Sequence, residues 1–173
     1  GEGTALVLID PENPKENEAL SSPENWRPST GDEGLPGRDD RVSFAEWLSN
    51  QPNTDPSADP DGDGLNQLLE FSIGIFGKLD PSEFLPNVSL ESLKVGENEE
   101  KYPVITIRQR TGISDVKFKI ESSTDLLNWS SVNRVLILTE DLKNRTMLRS
   151  YRDSQPYEDN VSRFFRVRVS SKL

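Results

Sequence analysis

Two stretches of strict two-residue alternation constrain this chain most. In Val116-Lys117-Phe118-Lys119-Ile120-Glu121, and again in Phe165-Arg166-Val167-Arg168-Val169, apolar and charged side chains take turns. Successive side chains of a strand point to opposite faces of a sheet, so each segment must line a core with one face and meet water with the other. Tyr102 to Arg110, Arg134 to Thr139 and Thr146 to Tyr151 are further strand candidates, bounded by turn-forming residues. At least five strands within residues 81–173 predict an antiparallel β-sandwich. The 12 Pro and 11 Gly suit a β-rich module with many turns.

Residues 41–80 have a different period. Ser43-Phe44-Ala45-Glu46 is a capping box, with Ser43 as N-cap and Glu46 three residues on. Phe44, Trp47 and Leu48 then share one helical face, and the helix should stop near Asn50, before Pro52. Leu65, Leu68, Leu69 and Ile73 define a second amphipathic helix, with Gly74 and Gly77 placed to end it.

Between the two helices lies Asp59-Pro60-Asp61-Gly62-Asp63-Gly64, with Glu70 at the twelfth position counted from Asp59. That is the spacing of an EF-hand calcium loop. Calcium takes six to eight hard oxygens, so carboxylates at the first, third and fifth positions must converge on one point. Gly64, at the sixth, permits the backbone to reverse. The expected ligands are Asp59, Asp61, Asp63, the carbonyl of Leu65, Gln67 directly or through water, and both oxygens of Glu70. An acidic turn before a helix is the plainer alternative, but it leaves the glycine and the glutamate unexplained. Magnesium, which prefers a smaller and water-rich octahedron, fits less well. With six acids and no base over residues 42–77, the segment carries a charge that a bound cation would neutralise.

Composition narrows the function classes. The chain has no Cys and no His. Disulfides, Cys-His pairs, Ser-His-Asp triads and His-ligated zinc are therefore out of reach. A carboxylate dyad or a Ser-Lys pair stays open in principle, yet no constellation supports an enzyme, and none is expected. A net charge of -10 argues against nucleic acid, whose phosphates call for a basic surface. No signal peptide and no apolar run long enough to span a membrane is present.

Three sets of residues resemble known families. Ala5-Leu6-Val7-Leu8-Ile9-Asp10-Pro11, then Asn25-Trp26-Arg27-Pro28-Ser29 and Gly34-Leu35-Pro36-Gly37, resemble the closing part of a bacterial lamin-tail domain. That family has an immunoglobulin-like sandwich fold and occurs in exported multidomain proteins. Asp59 to Gly74 resembles the calcium-loop-and-helix segment near the C-termini of large exported bacterial proteins, related to dockerin and thrombospondin type 3 loops. Dockerins carry two such loops where this chain has one, so cohesin binding is not implied. Glu121-Ser122-Ser123-Thr124-Asp125-Leu126-Leu127-Asn128-Trp129 and Arg163-Phe164-Phe165-Arg166-Val167 are similar to strand sequences of the small β-domain that follows that loop.

The organisation expected is a lamin-tail-like remnant over 1–40, a helix–calcium loop–helix connector over 41–80, and an Ig-like antiparallel β-sandwich over 81–173. The chain would be a fragment of a longer secreted or cell-surface protein, braced by Ca2+, whose partners are the other domains of that protein. Its function would be structural. The alternative is a module that binds polysaccharide or a cell-surface component through the C-terminal sandwich. Lys117, Lys119, Arg166 and Arg168, with Arg108 and Arg110, would then form a basic ladder, read more simply as a solvated sheet face. Trp47 is expected in the core, and Trp26 and Trp129 beside turns. Asn87, Asn128, Asn144 and Asn160 open Asn-x-Ser/Thr tripeptides and are read as turn residues.

Overall fold

The architecture is that of a computed structural model, which describes residues 5–8, 26–29, 41–143, 145–159 and 161–172. Strands account for 47% and helix for 12%, so the protein is mainly β, and its sheets are antiparallel. Among the described residues, no helix is long and apolar enough to cross a membrane.

The first elements are short. β1 (Leu6–Leu8) pairs with β2 (Trp26–Pro28), placing Leu8 opposite Trp26. Trp26 thus opens a strand, a pairing that no alternation announces, and the residues before it lie outside the described ones. The turn expected at 34–37, like most of residues 1–40, lies outside the described residues, as do Asn144 and Asn160.

α1 (Phe44–Ser49) and α2 (Gln67–Ile73) follow. Ser43 is the N-cap of α1, its hydroxyl accepting from Glu46 N–H, and Asn50 closes the helix. α2 begins two residues later than the leucine spacing suggests. Asn66 takes the N-cap position and accepts the Leu69 N–H at 3.0 Å, leaving Leu65 in the loop. Gly74 ends α2 at φ +69°, a left-handed conformation that costs glycine nothing.

After a 3-10 turn at Pro81–Glu83 come β3 (Asn87–Val95), β4 (Asn98–Arg110), β5 (Val116–Ser123), β6 (Ser130–Ser131), β7 (Arg134–Lys143), β8 (Thr146–Asp153) and β9 (Phe164–Ser171). They form a four-stranded sheet in the order β3-β4-β8-β7 and a three-stranded sheet in the order β6-β5-β9. Asn87 opens a strand and is not a turn residue. β3 itself escapes a periodicity reading because it is an edge strand whose Val88 and Leu90 stay exposed.

The alternation in β5 and β9 is realised over the first part of β5 and all of β9. Lys117 and Lys119 are exposed, as are Arg166 and Arg168, while Phe118, Ile120, Phe165 and Val167 turn inward. Ile105 and Ile107 of β4, Tyr151 of β8, Ile120 of β5 and Val132 form one buried cluster, so the two sheets share a core. Arg108 and Arg110 depart from the expected basic ladder. They belong to the other sheet: Arg108 donates from Nε to the Ile73 carbonyl at 3.0 Å, and Arg110 lies 4.4 Å over the Phe71 ring.

The helices are packed onto the strands. Phe44, Leu48 and Phe71 are buried together, with Ile113 of the β4–β5 connection and Val116 at the start of β5 against them. Trp47 stacks beside Phe44, Phe71 and Phe76, with ring centroids 5.9, 5.3 and 5.6 Å away. A parallel bridge joins Val42 to Ile113, and the Val42 N–H donates to the Gly112 carbonyl at 2.6 Å. A second cluster of Leu65, Ile73 and Ile75, with Phe84, closes the other side of α2.

Candidate metal centre

The acidic loop is fixed at both ends by backbone bonds. Gln67 N–H donates to the Ala58 carbonyl at 2.9 Å and Leu68 N–H to the Pro56 carbonyl at 3.2 Å, so the chain enters and leaves the loop at the start of α2. Within it, Asp59 acts as a hub. Its Oδ1 accepts from Gly62 N–H at 2.8 Å and from Asp63 N–H at 3.2 Å, and its Oδ2 accepts from Gly64 N–H at 2.9 Å. Asp61 Oδ1 accepts from Asp63 N–H at 3.3 Å, and Asp63 Oδ1 from Leu65 N–H at 2.8 Å. Gly64 stands at φ +96°, the reversal its position in the loop requires.

This wrapping draws three carboxylates together. One oxygen from each of Asp59, Asp61 and Asp63 lies within 4.8 Å of the others. Glu70, in the first turn of α2, is 6% exposed. Burial, followed by the charges of Asp61 and Asp63, pushes its carboxyl above the usual range, against a Gly77 N–H that favours the ionised form. Asp59 moves the other way. The Gly64, Gly62 and Asp63 amides hold it below the ordinary carboxylate value, outweighing the cost of burial.

Do these residues fit a cation? Asp63 Oδ2 is buried and receives no hydrogen bond from the protein. A buried acceptor without a donor is costly, and a carboxylate oxygen more so. A hard dication is a group that the three clustered aspartates would share, and it would offset the charges that, after burial, raise Glu70.

Of the residues picked from the spacing, Asp59, Asp61 and Asp63 are brought together; Glu70 is not part of that cluster, although the charges of Asp61 and Asp63 reach it. Leu65 contributes its N–H to Asp63, with its side chain in the Ile73 cluster. Gln67 has its amide nitrogen engaged: Nε2 donates to the Asn53 carbonyl at 2.9 Å and the Asp55 carbonyl at 2.8 Å. It ties the loop to the preceding chain, a role the ligand spacing does not reveal.

The other candidates are held by their neighbours. Arg166 lies 4.1 Å over the Trp129 ring and pairs with Glu121, Nη2 to Oε2 at 2.8 Å. Lys119 reaches the second oxygen of Glu121 at 2.8 Å. Glu121 therefore sits opposite Arg166 in the β5–β9 register and offsets the repulsion of a wholly basic row.

Set against known protein families, curated proteins and solved structures, the chain finds no match.

Proposed function

We propose that the chain is a non-catalytic structural module in which calcium, held by Asp59, Asp61, Asp63 and Glu70, braces the α1–α2 connector against the β-sheets. The observation that carries this reading is the buried, undonated Asp63 Oδ2 among three converging carboxylates. α2 is the element that would transmit the brace. It supplies Glu70 on one side and Phe71 to the aromatic cluster on the other. The resemblance to calcium-loop segments of large exported bacterial proteins supports a secreted or cell-surface setting, with neighbouring domains of the same protein as partners. Extracellular loops of this type bind calcium at roughly 0.1–1 mM, which is the range for a permanent brace at millimolar calcium rather than for a signalling switch. Isothermal titration with calcium and magnesium tests the reading. Saturable calcium binding with weaker magnesium binding supports it, and no heat from either ion sinks it.

A second reading, a carbohydrate-binding module, has one observation in its favour. A recess of about 440 Å³ is lined by Ser122, Thr124, Asn128, Ser130, Gln155 and Tyr157. Hydroxyl and amide groups beside an exposed tyrosine ring are the chemistry of neutral-sugar recognition. A glycan array probed with wild type and Tyr157→Ala separates the two: binding lost in the variant favours this reading, and a blank array favours the first.

A further inference from the structure

At the end of the sheets nearest the β4–β5 connection, a guanidinium is buried without a counter-charge among the described residues. Arg149 of β8 stands opposite Ile107 of β4, so its side chain enters the core-facing side of the sheet. It is only 9% exposed. Its nearest acceptors are poor ones: Nη1 lies 3.5 Å from Gln109 Oε1 and Nη2 3.9 Å from Met147 Sδ, while Nε is buried with no protein acceptor. An unpaired buried charge costs several kcal/mol, so cores rarely keep one.

Arg149 lines a recess of about 110 Å³. Arg110 borders it too, with its guanidinium turned away over the Phe71 and Phe76 rings. Gln109 and Thr111 supply polar groups and Phe118 and Met147 an apolar wall, and no acidic side chain lines it. In a chain of net charge -10, a buried cation facing no acid in its recess is not a general surface property.

We propose that this recess is a subsite for a carboxylate bearing a short apolar substituent. The carboxylate would take the Arg149 fork in the two-pronged geometry that guanidinium groups favour, and the apolar tail would lie against Phe118 and Met147. The volume restricts the buried part to a few heavy atoms, whether the acid is free or is carried on a sugar ring.

The test follows arginine Nε–Hε signals of the full chain by NMR during titration with sodium butyrate, with sodium chloride and butanol at matched ionic strength as controls. The signal absent from Arg149→Gln should move saturably with butyrate and with neither control. Arg149→Lys, which keeps the charge but not the fork, should bind about tenfold more weakly, read from the backbone amide signals of Gln109 and Thr111, and it identifies the Arg149 signal if the glutamine variant does not fold. A parallel titration with glucuronate distinguishes the sources. Movement there extends the subsite to acidic sugars, and movement with butyrate alone restricts it to aliphatic acids. A stationary Arg149 signal in butyrate, or an equal response to chloride, overturns the proposal.

Discussion

The Asp115 carboxylate caps a helix that begins 71 residues earlier: its Oδ1 accepts the Phe44 N–H at 2.7 Å. Its Oδ2 also takes the Ala45 N–H at 3.1 Å and the Ser43 hydroxyl at 2.8 Å. The first turn of α1 is thereby satisfied by a residue on the threshold of β5, in addition to its own Ser43 cap. Asp115→Ala should destabilise the fold by about 1–2 kcal/mol, read by urea denaturation. Ser43→Ala should cost less, since Asp115 would still hold the Phe44 and Ala45 amides.

The same contact sets a pH dependence. Burial opposes ionisation of Asp115, but the amides of Phe44 and Ala45 and the Ser43 hydroxyl outweigh it and hold the carboxyl below its ordinary value. A carboxylate with a depressed folded-state pKa contributes stability above its unfolded value and loses it as pH falls through the folded value. Wild type should therefore lose stability more steeply than Asp115→Asn as pH drops below about 4. Parallel acid limbs in the two proteins would remove Asp115 from the account.

Gly74 provides a backbone test. At φ +69° it ends α2, and an added methyl would collide with the Thr146 side chain. Gly77, at φ +84°, has open space around it. Both alanine substitutions carry left-handed strain of about 1 kcal/mol, but only Gly74→Ala adds the collision. Thermal unfolding should thus show a clearly larger drop for Gly74→Ala than for Gly77→Ala.

Arg166 over Trp129 should appear as a coupling energy. A double-mutant cycle of Arg166→Ala and Trp129→Ala should return about 0.5–1 kcal/mol. Zero coupling would mean that the stack contributes nothing in solution.

How much of this was legible in the residues depended on whether the determinant was local. The alternation in β5 and β9 and the Ser43-x-x-Glu46 box are short-range patterns, and the structure follows them. The Asp59-to-Gly64 spacing is equally local, and its three aspartates do converge. Asp115 was illegible because a cap drawn from 71 residues away leaves no mark beside the helix it serves. Arg108 and Arg110 misled because β4 alternates like β5, and alternation alone does not say which sheet a strand joins. Arg149 went unnoticed for a related reason: its burial depends on the register with Ile107, which only the fold supplies.

The central claim rests on the ion, and calorimetric unfolding in 1 mM calcium against chelator tests it most directly. With a dissociation constant near 0.1 mM, linkage predicts about 1.4 kcal/mol of added stability, or roughly 3–6 °C in Tm for a chain of this size. Asp63→Asn should lose that response. Glu70→Gln should lose it too while being no less stable in chelator, because the substitution also removes the repulsion from Asp61 and Asp63. An identical Tm with and without calcium in wild type, or a calcium shift that survives both substitutions, would contradict the account.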